Sequence, residues 1–125
     1  MNGIVITTDN RLTVRDFDAP LYKSVGAAVG GWIEIVHPFG LKNPFVMVVN
    51  EEGLIKGLPE NTVGCLLYGS HLHGSPIVGN IVIMKEGWTE EGKDLLGLSD
   101  DEITKLTKDL VELFQLAGQS YIKEN

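Results

Sequence analysis

The first part of the chain carries two runs of period-two patterning, the period of a β-strand: Ile4, Ile6 and Thr8 alternate with Val5 and Thr7, and Leu12 and Val14 alternate with polar residues. The alternation covers residues 4–8 and 11–15, and the turn-prone pair Asp9-Asn10 separates the two runs. Two such runs around a short turn predict a β-hairpin over residues 3–16.

Two short helices are indicated by their start and stop signals. The apolar residues of 21–29 share one helical face, with Pro20 before them and Gly30-Gly31 after them. Asn61 is a candidate N-cap for a second helix in the segment NTVGCLLYG, which Gly69 would end.

The clearest element lies near the end of the chain. Ser99 and Glu102 have the spacing of a capping box, in which each side chain satisfies a free backbone N–H of the other residue. Apolar residues then recur at helical spacing from Ile103 to Ala117, and Gly118 follows. The pattern predicts an amphipathic helix over residues 100–118.

Further strands are predicted between these helices. The segments 32–37 and 77–84 have strand character, and the continuous apolar run 45–50 suits a central strand covered on both faces. A turn after residue 50 predicts a second hairpin through residues 54–56, whereas residues 85–97 look polar and irregular.

The resulting order of elements predicts one α+β domain over residues 1–125. We expect a largely antiparallel sheet, helices packed on one face in a two-layer arrangement, and a long C-terminal helix. No repeat and no linker divides the chain.

The charge of the chain argues against nucleic acid as a partner. Its formal net charge is −7, its pI is about 4.8, and no two Lys or Arg residues are adjacent. Duplex binding and attachment to an anionic membrane both need a basic surface. A basic protein remains compatible with the negative charge as a partner.

The cellular compartment is predicted from three features: the cysteine content, the first residues and the length of the apolar stretches. Cys65 is the only cysteine, so no intrachain disulfide is expected. The first ten residues do not resemble a secretory signal, and no apolar stretch reaches the length of a membrane span. We therefore expect a cytoplasmic protein.

Two loop histidines are the first candidates for chemistry. His71 and His73 would point to the same side of an extended segment, but zinc needs at least three protein ligands and only His37 remains. We therefore predict no metal site. The alternatives for both rings are solvent exposure or contact with a ligand.

No set of residues resembles a catalytic machinery. Cys65 lies in an apolar run, where a free cysteine behaves as a small hydrophobe. Ser70 and Ser75 lack the surroundings of a serine nucleophile. The adjacent acids Glu51-Glu52 and Glu90-Glu91 suit solvated turns better than acid–base pairs. The sequence predicts no enzyme, no catalytic residue and no cofactor.

The loop between residues 69 and 76 is a weaker candidate. Its Gly-Ser pairs could place backbone N–H groups around a phosphate, but the spacing matches no known phosphate-binding motif. A flexible connection is the alternative.

Several segments in succession resemble one known family. They are VGGWIEIV, VNEEGLIKGLPENTVGCLLYG, SPIVGNIVIM and LSDDEITKL, and they cover about residues 25–106. In order and spacing they are similar to the domain of unknown function numbered 3846, which occurs in phages, plasmids and bacterial mobile elements. The hairpin at 3–16 fits more loosely.

The resemblance implies a context and a set of positions to test. Small mobile-element proteins often counter host defences, and by analogy this one would sequester a nucleotide immune signal without hydrolysing it. The positions that the resemblance suggests for a ligand pocket are Asn50, Lys56, Asn61, Tyr68 and Ser70. The family does not match His71 and His73, which stay candidates for ligand contact on their own chemistry. Their structural alternatives are a turn at Asn50, a helix cap at Asn61 and core packing at Tyr68.

Two hypotheses of different class follow. The first is a nucleotide-sequestering protein, expected to form a homo-oligomer with pockets between subunits. The second is an acidic inhibitor or accessory factor that binds a host protein and has no small-molecule ligand.

Overall fold

The chain folds around a seven-stranded sheet with helices on both sides. The computed structural model describes residues 1–118 and 122–124. The elements in chain order are β1 (Asn2–Ile6), β2 (Arg11–Asp16), α1 (Leu21–Val29), β3 (Ile33–Val36), β4 (Phe45–Asn50), α2 (Thr62–Tyr68), α3 (Ser70–His73), β5 (Ile81–Thr89), β6 (Gly92–Leu96), α4 (Asp100–Leu116) and β7 (Ile122–Glu124).

The sheet is antiparallel except at one edge. Its strand order is β3-β4-β5-β1-β2-β7, and β6 pairs with the second half of β5. The last strand, β7, runs parallel to β2. The α+β class, the largely antiparallel sheet and the long C-terminal helix are therefore confirmed.

The expectation of helices on one face alone is corrected. Strand alternation sends Ile4, Met47 and Ile83 to one face, where they pack with residues of α2 and α4. It sends Val5, Val48 and Val82 to the opposite face, which packs with α1. The central strands are apolar on both sides, so each side needs a helical cover.

Local signals located most elements well. The hairpin forms in register, with Ile4 opposite Val14. Helix α1 ends at Gly30, whose φ of 87° is the left-handed conformation that glycine adopts readily. Helix α4 begins at the predicted capping box of Ser99 and Glu102, and it ends two residues before the predicted end.

Three segments differ from the expected structure. Residues 51–57 form consecutive turns and not a second hairpin, with Lys56 N donating to Glu52 O at 2.9 Å. Strand β5 begins at Ile81, four residues later than expected, because Gly79 has a φ of 78° that interrupts extended backbone. Residues 85–96 form the β5–β6 hairpin and are not irregular.

The start of α4 carries a testable pH dependence. Lys85 Nζ lies 2.8 Å from Glu102 Oε1, and this hydrogen bond, with Ser99 N–H as a second donor, holds the pKa of Glu102 below its usual range. A lowered carboxyl pKa stabilises the folded state above the ordinary pKa, and that stability is lost as the pH falls through the folded value.

We therefore expect Glu102→Gln to reduce the free energy of unfolding by about 0.5 kcal/mol at pH 7, the range for a partly exposed ion pair, since glutamine can still serve the capping box. Urea unfolding of both proteins at pH 7 and pH 3 measures the difference. It should be smaller at pH 3, and an equal difference at both pH values would contradict the charge pairing.

Candidate functional site

A narrow cleft opens at the C-terminal end of β4 and beside its antiparallel neighbour β3, on the face covered by α2 and α4. Its volume is about 150 Å³. The sheet contributes one wall, the turn after β4 a second, and Tyr68 with the segment before β5 the third. The lining residues are Glu34, Val36, Val49, Asn50, Glu51, Leu54, Tyr68, Ser75, Pro76, Ile77 and Val78.

The cleft combines an apolar floor with carboxylates. Val36 and Val49 belong to the buried or partly buried core beneath it, whereas the side chains of Glu34 and Glu51 are exposed. No Lys or Arg is among its lining residues. Such a site suits a ligand that has an apolar stem and hydrogen-bond donors or a positive charge.

Asn50 is the predicted site residue that structures the rim of the cleft. Its Nδ2 donates to Val29 O at 3.1 Å, and Glu52 N donates to its Oδ1 at 2.8 Å. These bonds tie the end of α1 to the turn after β4. Asn50 therefore holds a turn, which the sequence analysis gave as the alternative to ligand binding. It also lines the cleft.

Lys56 lies beside Asn50 but outside the cleft. A Cβ on Gly31 would sit 3.0 Å from Lys56 Nζ and 3.1 Å from Asn50 Nδ2, so a side chain at this position would crowd both groups. The ammonium is thereby placed near the C-terminal end of α1, whose last turn has no basic residue. A cation there interacts favourably with the helix dipole, which is a structural role for Lys56.

Asn61 is a core residue. It is fully buried, and its Nδ2 donates to Ile6 O and Gly79 O, both at 3.0 Å. Gly64 N donates to its Oδ1 at 2.9 Å, the bond of an N-cap. All three bonds are internal, so the structure gives Asn61 the predicted capping role and keeps it away from the cleft.

Tyr68 ends α2 and is the second predicted site residue in the cleft. Its half-buried ring packs against the core and lines one wall. The ring therefore offers a flat apolar surface to whatever enters.

Ser70 and the loop histidines do not join the cleft. Ser70 Oγ is buried and has no hydrogen-bond partner among the described residues. His71 is exposed on α3, and the side chain of His73 lies outside the described part of the structure. The segment is a helical turn and not extended, so the geometric reason for expecting both rings on one side does not apply.

Sequence reasoning missed the carboxylates of the cleft. The sequence pattern assigns Glu51 to a solvated turn and indicates no role for Glu34. One signal was available, because Glu34 is the only charge in the strand Ile33–Val36. Polar residues on otherwise apolar strands often face a site, but their partners here are distant in sequence.

The described residues contain no cluster of metal-ligating side chains. Within 1–118 and 122–124, no three His, Cys, Asp or Glu side chains come together as metal ligands. Cys65 is half-buried, and its Sγ accepts from Ile77 N at 3.3 Å. Among the helices in these ranges, none has the length and apolar character to cross a bilayer.

Comparison with known proteins adds a family and no activity. A search of curated proteins and a search of solved structures each give no match. A family model described as "Domain of unknown function (DUF3846)" matches residues 1–111, which include the N-terminal hairpin as well as the segments that carried the resemblance. The chain therefore belongs to this family.

Proposed function

We propose that this domain is a cytoplasmic binding protein without catalytic activity, and that its ligand is a segment of a protein partner. The observation that carries the proposal is the cleft beside β3, with its small volume, its apolar floor and its two glutamates. In a mobile element, such a protein would act as an inhibitor or accessory factor directed at a host protein.

The volume of the cleft supports a side chain as its occupant. Pockets for small-molecule ligands measure roughly 300–1,000 Å³. The cleft offers about 150 Å³, which is enough for one large side chain and too little for a nucleotide. A peptide can place a single residue there while the rest of its chain stays outside.

The charge of the site selects the kind of side chain. Glu34 and Glu51 stand at the cleft, and the whole chain has a net charge of −7. Lysine or arginine would place its apolar stem over Val36 and Val49 and its charged end near the carboxylates. A basic partner would also be attracted over a distance by the acidic surface.

The test uses a defined peptide, a capped and labelled hexapeptide of alternating lysine and valine. We expect saturable binding by fluorescence anisotropy, with affinity falling as salt increases. Glu34→Gln and Glu51→Gln should each weaken binding about 1.5- to 5-fold, the range for exposed ion pairs.

The matched control is Glu90→Gln, which makes the same charge change at the exposed turn between β5 and β6. Its affinity should stay close to that of the unchanged protein. Equal weakening by all three substitutions would mean that only net charge matters, and it would contradict a site at the cleft.

Nucleotide sequestration is the second candidate, and one observation favours it. Lys56 Nζ and the Asn50 amide lie side by side over Gly31, where a phosphate could meet both. Native mass spectrometry with cyclic and linear nucleotides tests this candidate, and it also reports whether the homo-oligomer that this candidate predicts is present. A retained intact nucleotide that is lost in Lys56→Ala would favour it over a peptide ligand.

A further inference from the structure

Among the described residues, the strand order ends on an edge strand at each side. At one end, β7 pairs with β2 alone through Ile122–Glu124. At the other end, β3 pairs with β4 alone, and the cleft lies on this side of the sheet. Proteins usually protect such an edge with lysine, proline, a bulge or an inward-pointing charge. The strand Ile33–Val36 has no lysine, proline or bulge, and its single charge belongs to the cleft.

The hydrogen-bonding groups on this edge can be assigned residue by residue. Glu51 N donates to Trp32 O at 2.9 Å, so the backbone of Trp32 faces β4. Along a strand in an antiparallel pair, every second residue directs its N–H and C=O groups at the partner strand, and the residues between them direct these groups away from it. The backbones of Glu34 and Val36 therefore also face β4, and the N–H and C=O groups of Ile33 and Ile35 face outward.

The cleft lies next to this edge. Glu34 and Val36 both line it, and they are the residues of β3 whose side chains share the face covered by α2 and α4. A strand added alongside β3 would present every second side chain on that face. Trp32, 68% exposed at the start of β3, would flank the added strand with its ring.

We propose that β3 is a docking edge, where a partner adds an extended segment as a further strand and inserts a lysine or arginine into the cleft. This inference deepens the proposed function and rests on it. Main-chain hydrogen bonds to Ile33 and Ile35 would supply affinity, and the cleft would supply the preference for a basic side chain.

Charge favours a foreign segment over a second copy of this chain at the edge. Antiparallel pairing of two β3 strands would place the two Glu34 side chains on the same face, opposite or diagonal to each other, on subunits that each have a net charge of −7. Like charges on paired strands are destabilising. A basic segment instead meets complementary charge at the same place.

Backbone methylation of the alternating lysine–valine hexapeptide tests strand addition directly. A strand directs alternate N–H groups at one neighbour, so methylating one set of alternate amides should abolish saturable binding, and methylating the other set should leave it within about 2-fold. Equal effects of the two sets would overturn the docking edge. If Glu34→Gln still weakened binding in that case, the cleft proposal itself would survive.

A pair of substitutions tests the same edge from the protein side. Ile35→Pro removes an outward N–H and leaves the bonds to β4, whereas Ile35→Ala makes a comparable loss of packing and keeps the N–H. We expect Ile35→Pro to weaken peptide binding about 2- to 10-fold beyond Ile35→Ala. Circular dichroism and thermal unfolding confirm that both variants fold.

Analytical ultracentrifugation without peptide identifies the competing occupant. A dimer that Ile35→Pro converts to a monomer, while Ile35→Ala does not, would assign the edge to a second copy and overturn the proposal. A monomer in all three proteins, with peptide binding weaker in Ile35→Pro than in Ile35→Ala, is the expected result.

Discussion

Replacing Phe114 by alanine is expected to lower the free energy of unfolding by about 3–5 kcal/mol, the range for deleting a buried aromatic ring. Phe114 is fully buried, and it is the largest of the completely buried side chains. It projects from α4 into the same core as Ile4 and Ile83 of the sheet. The loss would be a large part of the 5–15 kcal/mol that holds most domains folded.

Urea unfolding followed by circular dichroism measures this loss. The control is Leu116→Ala on the same helix, where the side chain is 85% exposed. We expect that change to stay within about 0.5 kcal/mol. A loss below about 1 kcal/mol for Phe114→Ala would mean that α4 does not pack on the sheet as described.

Asn61→Ala is expected to have the second-largest effect, a loss of about 3 kcal/mol. The substitution removes three buried hydrogen bonds, to Ile6 O, Gly79 O and Gly64 N. Each such bond contributes about 0.5–1.5 kcal/mol net, and a buried group left without a partner costs more. The residue joins β1, α2 and the segment before β5, so its loss loosens all three.

Ser99→Ala provides the matched control because it removes the N-cap of α4 at an exposed position. We expect a loss of about 1 kcal/mol there. If Asn61→Ala cost no more than Ser99→Ala and yet abolished ligand binding, Asn61 would be a binding residue and its structural role would be minor.

The elements that the sequence predicted well are those with local signals. Proline and paired glycines bound α1, Asn61 caps α2, and the capping box starts α4. Each signal acts within a few residues, so the printed sequence contains it completely. By contrast, the pairing of β7 with β2 joins residues more than a hundred positions apart. No local pattern encodes such a contact.

The number of layers in the fold could not be predicted from the sequence, for a related reason. The run at 45–50 correctly predicted a strand covered on both faces. Which helix covers which face depends on the path of the chain between elements, and the short apolar face of α1 fits either side. The structure resolves this by placing α1 opposite α2 and α4.

The candidate site was predicted only in part. Asn50 and Tyr68 do meet in one cleft, although eighteen positions separate them along the chain. Lys56 and Asn61 are predicted site residues that have structural roles. Lys56 places its charge beside Gly31 at the end of α1, and Asn61 donates to buried backbone carbonyls of the core. Glu34 entered the site through the register of β3 against β4, which a single sequence does not specify.

The most direct test of the binding proposal is a ¹⁵N–¹H spectrum of the labelled protein, titrated separately with the lysine–valine hexapeptide and with a panel of nucleotides. We predict that the peptide shifts the backbone signals of residues 32–36, 49–54, 75, 77 and 78, together with Tyr68, and that nucleotides leave them unchanged. Peptide-induced shifts that avoid these residues, or nucleotide-induced shifts centred on Gly31 and Lys56, would contradict the proposal.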